Sequence, residues 1–157
     1  MFLNFSEHDL DLLRRKKTIQ VCIPLSVLNE LDGHNKSHSA DRSHSARRAR
    51  DWIISEQAHV RIEKRAECEF LSRQTNDDKI LGFGCLLLSE EKARVEREAE
   101  HQRQLAHDEA IKYGRPLRKP KPVEPIKVYM CTNDNMLSLK ASNEGMLTCD
   151  HHGIFRL

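Results

Sequence analysis

Short apolar runs that each lead into a helix constrain the fold of this chain more than any other feature. Residues Thr18–Ile23 are largely β-branched and apolar, and Pro24 follows at the start of the next helix, where its missing N–H costs nothing. Such runs recur, and the candidate strands are Thr18–Ile23, Val60–Ile62, Ile126–Cys131 and Met146–Cys149. Strands that alternate with helices predict a three-layer α/β/α fold around a central parallel sheet.

The size and composition of the chain fit a single domain over residues 1–157, which is long enough to bury a sizeable core. The net charge of +2 does not indicate nucleic-acid binding, so any basic surface must be local. The five cysteines form no C-x-x-C pair and mostly lie in apolar runs, which is typical of reduced thiols. No apolar run approaches the ~20 residues that span a bilayer. These features predict an intracellular protein of the nucleus or cytoplasm.

Two polar segments are expected to lie outside the core. Residues His34–Ser45 are rich in His, Ser and Asn, a composition that predicts a mobile loop. From Ser89 to Lys112 the charges alternate in sign, which indicates an exposed helix, and Gly114–Pro122 is a basic, proline-rich tether. Together these features predict that residues 89–125 form an insertion that projects from the domain.

Three acids are predicted to lie beyond the carboxyl ends of the strands, where function gathers in α/β sheets. Glu30 is in the helix after the first strand, Asp77 is in the first turn of a later apolar helix, and Asp134 directly follows Ile126–Cys131. Each acid also has a simpler explanation. Asp77 and Asp134 would stabilise helix starts through the helix dipole, and Glu30 would be a solvated helix residue.

Taken together, these acids favour a metal site. Carboxylates that converge in a cleft repel one another unless a hard cation such as Mg²⁺ or Mn²⁺ neutralises them. One such ion lowers the pKa of a bound water to produce the nucleophile, and a second stabilises the leaving oxygen. The acids therefore predict phosphodiester cleavage that needs no serine or cysteine nucleophile.

Three short segments also carry recognisable patterns in a fixed order. Pro24–Gly33 reads PLSVLNELDG, Asn76–Leu81 reads NDDKIL, and Thr132–Ala141 reads TNDNMLSLKA. They resemble the P-x-x-V-x-x-E-L-D-G, N-D-D-x-I-L and T-[ND]-D-x-N-L-x-x-K-A signatures of eukaryotic PIN domains. The chain is similar to the Smg6/Est1-like and Swt1-like RNA endonucleases of that family, and Ala49–Ile53 (ARDWI) is similar to the latter.

This resemblance implies a reaction and a set of residues. It implies a metal-dependent endonuclease that cuts single-stranded RNA in mRNA surveillance, nonsense-mediated decay or nuclear RNA quality control, with protein partners in RNA decay. The implied residues are the catalytic acids Glu30, Asp77 and Asp134, which would hold Mg²⁺ or Mn²⁺, and the site-shaping Thr132 and Asn133. Two further acids, Asp32 and Asp78, adjoin them within the motifs.

The N-terminus departs from the family pattern. PIN domains begin with a central strand that ends in Asp-Thr or Asp-Ser, and this Asp is a principal metal ligand; Met1–Phe5 matches the segment immediately after that strand. We therefore expect a truncated fragment or a misplaced start, favoured over a natural variant, and a poor nuclease as the sequence stands. The alternative is a catalytically inactive PIN module that acts as a protein- or RNA-binding scaffold.

Two basic groups are candidate contacts for RNA phosphates, since phosphate neutralisation supplies most non-specific affinity. The residues in these groups are Arg47, Arg48, Arg50, Arg118, Lys119 and Lys121. The alternative is a solvated helix face and an ordinary linker, because aromatic residues for base stacking are not interleaved with the basic ones.

Overall fold

The chain is a mixed α/β protein, and the computed structural model describes residues 5–16, 18–36, 39–69, 75–114, 116, 119–150 and 152–156. The helices are α1 (Glu7–Arg15), α2 (Leu25–Asn35), α3 (Ala40–Ser55), α4 (Arg65–Glu69), α5 (Asn76–Tyr113) and α6 (Asn135–Asn143). The strands are β1 (Val21–Ile23), β2 (Val60–Ile62), β3 (Tyr129–Cys131) and β4 (Leu147–Cys149). A 3-10 turn at Gly153–Arg156 follows β4. All four predicted strands are present, three of them shorter than expected.

The strands pair in parallel, as predicted, but within the described residues they form two sheets of two strands each. Strand β1 pairs with β2, with Ile23 opposite Ile62, and β3 pairs with β4, with Cys131 opposite Cys149. The expected single central sheet is not seen, because no described strand bonds to the second edge of either pair. Two-stranded sheets are marginal alone, so helix packing must supply most of the stability.

Each sheet is covered by its own apolar core. The buried residues of the N-terminal core are Phe5, Leu10, Leu13, Ile23, Leu31, Ala46, Ala49, Trp52 and Ile53. The buried residues of the C-terminal core are Leu81, Ala141 and Met146. The indole of Trp52 lies in the N-terminal core and donates a hydrogen bond to the Leu10 carbonyl at 3.0 Å, which satisfies its polar N–H.

Arg61 of β2 connects the first sheet to α5. Its guanidinium donates to both carboxylate oxygens of Glu90, bonds Glu67 at 3.2 Å and lies 5.7 Å from the centre of the Phe83 ring. This hydrogen bond from Arg61 lowers the pKa of Glu90 below its ordinary value. These contacts of Arg61 hold one face of α5 against β2, and so they orient the start of α5.

The predicted mobile loop at His34–Ser45 is wrong at both ends, because α2 continues to Asn35 and α3 already begins at Ala40. Ser43 is buried, and its hydroxyl donates to the Asn35 carbonyl at 3.0 Å. Small residues on the buried face let α3 pack closely against α2, and this packing outweighs the weak helix propensity of serine and histidine. Residues 37 and 38 lie outside the described residues.

The apolar helix expected at Ile80–Leu88 and the charged helix expected after it are one 38-residue helix, α5. It ends at Gly114, whose φ of 59° is the left-handed conformation that commonly terminates helices. Near the base of its charged half, Glu91 accepts the Ile126 N–H at 2.6 Å and Arg94 donates to the Glu124 carbonyl at 3.2 Å. We call residues 89–125 the arm: its first limb is the charged half of α5, and these two hydrogen bonds hold the base of that limb to the returning chain.

Two further observations concern the whole of the described chain. Its helices include none that combines the length and apolarity needed to cross a membrane. The cysteines Cys22, Cys85, Cys131 and Cys149 are half-buried, and burial raises the pKa of Cys131 above its ordinary value. The side chain of Cys68 lies outside the described residues.

Candidate active site

Glu30 is positioned by α2, which begins where β1 ends. Pro24 occupies the N-cap position with φ of −61°, a value that the proline ring imposes and that suits a helix start. The Glu30 side chain then reaches across to α5, where Oε1 accepts a hydrogen bond of 2.9 Å from the side-chain amide of Asn76. The PLSVLNELDG and NDDKIL segments are thus in direct contact.

Asp77 is the neighbour of that asparagine in the first turn of α5. The helix is capped by Thr75, whose hydroxyl accepts the Asp78 N–H at 3.2 Å. Lys140 of α6 places Nζ 3.7 Å from Oδ2 of Asp77, which makes an ion pair between half-exposed side chains. Because Lys140 belongs to the TNDNMLSLKA segment, the second and third motifs also meet at Asp77.

Asp134 caps α6 directly after β3. Its Oδ1 accepts the backbone N–H groups of Met136 at 2.7 Å and Leu137 at 3.0 Å, and its own N–H donates to Thr132 Oγ1 at 3.1 Å. The structural role expected of an acid at a helix start is therefore present. The cap occupies Oδ1, so a cation at Oδ2 would not require opening the helix.

Glu63, which was not predicted from the sequence, follows β2 at the carboxyl end of the β1–β2 sheet. It is only 3% exposed, and its Oε2 accepts the Leu25 N–H at 2.8 Å, at the start of α2. Its backbone N–H donates to the Ile23 carbonyl at 3.0 Å, which extends the β1–β2 pairing by one step. The signal was available, because an acid directly after a predicted strand is the same pattern that singled out Asp134.

Two of these acids, Glu30 and Glu63, line a cavity of about 360 Å³ beyond the ends of β1 and β2. The residues lining it are Leu25, Ser26, Asn29, Glu30, Glu63, Asn76 and Lys79. The donors are carboxylate, amide and hydroxyl oxygens, the ligands that Mg²⁺, Mn²⁺ and Ca²⁺ prefer. This chemistry fits a hard divalent cation.

The structure links the three predicted acids without showing a complete metal centre. Glu30 and Asp77 are joined through adjacent residues of α5. Asp134 is connected to Asp77 only through Lys140, which pairs with Asp77. Lys140 lies six residues after Asp134, a distance of about 9 Å at 1.5 Å per helical residue. In the described part of the chain, no three His, Cys, Asp or Glu side chains form a group able to hold a metal ion. Convergence of all three acids stays a prediction.

The neighbouring predicted residues have structural contacts. Thr132 also donates its N–H to the Cys149 carbonyl at 3.0 Å, so it joins β3 to β4 next to the cap, while Asn133 is exposed beside it. Asp32 pairs with Lys36 at 2.6 Å on the exposed face of α2. Asp78 is half-buried, as is Asp77.

The candidate RNA-binding residues lie on α3 and on the return segment of the arm. Arg47 bonds the side chain of Asn35, and Arg50 pairs with Asp51. Arg48 turns inward and donates to the Phe5 carbonyl at 2.6 Å. Lys119 and Lys121 are exposed, and Arg118 lies outside the described residues. Their contact with RNA stays a prediction.

Comparison with known proteins identifies the family. The family model described as PIN domain matches residues 4–152, nearly the whole chain and all three motifs. No curated protein sequence matches the chain. The match over this length, with the mixed α/β fold and its parallel strands, shows that the chain belongs to the PIN domain family.

Proposed function

We propose that this protein is a metal-dependent endonuclease that cuts single-stranded RNA. Membership of the PIN domain family gives it a nuclease-type function in general terms. The observation that carries the finer proposal is the 2.9 Å contact between Glu30 and Asn76, because it joins the first two motifs at a cavity that Glu30 and Asn76 both line.

In this proposal Glu30, Asp77 and Asp134 hold Mg²⁺ or Mn²⁺. The bound ion would lower the pKa of a water molecule and stabilise charge on the leaving oxygen. Lys140 neutralises part of the negative charge at Asp77. In this proposal its ammonium group would also contact a phosphate oxygen of RNA bound beside Asp77. Thr132 and the capped start of α6 hold Asp134 in place, so its orientation is set before substrate arrives.

The wider parts of the proposal follow from the resemblance to the Smg6/Est1-like and Swt1-like endonucleases. We place the protein in mRNA surveillance, nonsense-mediated decay or nuclear RNA quality control, in the nucleus or cytoplasm, with protein partners in RNA decay. We also propose that the two strand pairs belong to one central parallel sheet of a three-layer α/β/α fold. The parallel pairing within each half supports this arrangement.

One observation favours the alternative, a catalytically inactive module that binds RNA or protein as a scaffold. Oδ2 of Asp77 is paired with Lys140 Nζ at 3.7 Å. A domain that had lost its cation would keep such an ion pair, because the lysine takes over the neutralisation of the carboxylate.

The test compares Asp134→Asn with the wild-type full-length protein on unstructured RNA. Asparagine preserves the helix cap, so folding should be unchanged while one metal-binding charge is lost. Cleavage should require added Mn²⁺ or Mg²⁺ and should fall by about 100-fold or more in the variant, at least what loss of an outer-shell partner costs a metal site.

The matched control is Asp11→Asn, an exposed acid on α1 that pairs only with Arg14 among the described residues. It should cut RNA as the wild type does. If the wild-type protein cuts no RNA in Mn²⁺, or if Asp134→Asn cuts equally well, the endonuclease proposal fails and the scaffold function replaces it.

A further inference from the structure

Glu63 is the one buried acid in the described part of the chain, and its charge is only partly compensated. The start of α2 stabilises Oε2 through the Leu25 N–H and the helix dipole. Among the described residues, no lysine or arginine pairs with Glu63 and no hydrogen bond reaches Oε1. Burying a carboxylate is costly unless a cation or several donors satisfy it, so a further positive partner would stabilise this site.

Ser26 gives an independent indication at the same cavity. The residue is 7% exposed, it lines the cavity one position after Leu25, and its Oγ is buried without a hydrogen-bond partner in the described structure. Buried hydroxyl groups are nearly always hydrogen-bonded, and an unpaired one is a common sign of a missing ligand or ion.

We propose that the cavity between α2, β2 and α5 binds a divalent cation through Glu63, Ser26 and Glu30. Glu30 is one of the metal-binding acids that the family motifs imply. Glu63 and Ser26 are not implied as ligands by those motifs. Asn29 and Asn76 can supply amide oxygens, and exposed Lys79 lies at the rim. The candidate ligands in this cavity are oxygen atoms, and its lining contains no histidine or cysteine, so it favours Mg²⁺, Mn²⁺ or Ca²⁺ over zinc.

The inference rests on the proposed function only through Glu30, which the two sites share. If Glu63 and Ser26 bind the ion, then the cation at Glu30 is held by groups at the ends of β1 and β2. Binding of this cation then does not depend on Asp134, which is the N-cap of α6. Cation binding and RNA cleavage are then separable properties, and each can be measured without the other.

The experiment measures Mn²⁺ binding to the full-length protein by the electron paramagnetic resonance signal of free Mn²⁺ and by calorimetry. The variants are Glu63→Gln, Ser26→Ala and the matched control Glu100→Gln, an exposed acid of the arm. Glutamine can still accept the Leu25 N–H, so the fold should survive. The Kd for Mn²⁺ should rise about 10-fold or more in Glu63→Gln and several-fold in Ser26→Ala, and stay unchanged in the control.

A second readout is thermal stability, since a ligand that binds only the folded state raises Tm. Added Mn²⁺ should raise the Tm of the wild type and the control more than that of Glu63→Gln, with the three proteins compared first in a chelator. Should Glu63→Gln fail to fold, Ser26→Ala decides, because it removes an atom that has no partner in the described structure.

The outcomes separate the two proposals. Wild-type Mn²⁺ affinity in the folded Glu63→Gln variant, or in Ser26→Ala when that variant decides, overturns the cation site while RNA cleavage by the wild type still supports the nuclease. Loss of Mn²⁺ binding in Glu63→Gln, with no RNA cleavage by the wild type, keeps the cation site and removes the nuclease.

Discussion

Replacing Gly84 by alanine should destabilise the domain, even though alanine favours helices more than glycine does. Gly84 lies in the buried part of α5. A Cβ atom at this position would lie 2.4 Å from Met146 Sδ and 3.0 Å from Met146 Cε, with Met130 Cε at 3.4 Å. Met146 is itself buried in the C-terminal core, so its sulfur cannot move into solvent.

The expected magnitude is the difference between two opposing effects. Alanine in a helix interior gains up to about 1 kcal/mol over glycine. Forcing an extra methyl group into a packed core costs about 1–3 kcal/mol. The overlap is with Sδ and Cε at the flexible end of Met146, but this residue is only 3% exposed, so the shift must be made inside the core and the cost lies toward the upper part of that range. We expect a net loss of about 1–2 kcal/mol in the free energy of unfolding.

Urea unfolding of wild type, Gly84→Ala and the control Gly33→Ala measures this difference. Gly33 also lies in a helix, but a Cβ there meets nothing within 4 Å, so its variant should be stabilised by up to about 1 kcal/mol. The double variant Gly84→Ala/Met146→Ala should lose less free energy of unfolding than the sum of the losses in the two single variants. The reason is that removing the Met146 sulfur also removes its overlap with the new Cβ. A Gly84→Ala protein as stable as Gly33→Ala would refute the reasoning.

Two further predictions concern the arm. Replacing residues 97–122 by a short Gly-Ser linker, which keeps Glu91 and Arg94, should change Tm by only a few degrees, since an exposed charged helix buries little apolar surface; a large fall in Tm would show that the arm packs on the domain. The hydrogen bonds from Arg94 and the Ile126 N–H lower the pKa of Glu91 to about 2, from an ordinary 4.5. The stabilisation by these hydrogen bonds is therefore full above pH 4.5 and lost as the pH falls toward 2. In urea unfolding, the difference in free energy of unfolding between wild type and Glu91→Gln should shrink over that pH range. A constant difference would contradict the role of Glu91.

Parts of this fold follow directly from local sequence. The β-branched run before Pro24 predicts β1, because a proline with no N–H suits a helix start and not the middle of a strand. Asp134 predicts the start of α6 for a similar reason, since its side chain caps the first N–H groups. In both cases the information lies within a few residues of the element that it predicts.

Other parts depend on contacts that the sequence does not display. The early start of α3 results from packing of Ser43 near α2, which overrides the propensity of a polar segment. The bonds from Asn76 to Glu30 and from Lys140 to Asp77 depend on how three helices are rotated about their axes. The burial of Glu63 depends on the close approach of α2 to β2, so its sequence position indicated the edge of the sheet but not the loss of solvent.

The fixed base of the arm makes the lengths of its two limbs interdependent. From Arg94 to Tyr113 the helix rises about 28 Å, at 1.5 Å per residue. The chain from Gly114 must return over this distance for the Glu124 carbonyl to reach Arg94, and ten residue steps span at most about 36 Å. The return limb therefore exceeds this distance by no more than about 8 Å. Losing four or more residues from it would require the end of α5 to unwind or its base contacts to break, whereas added residues would be accommodated easily.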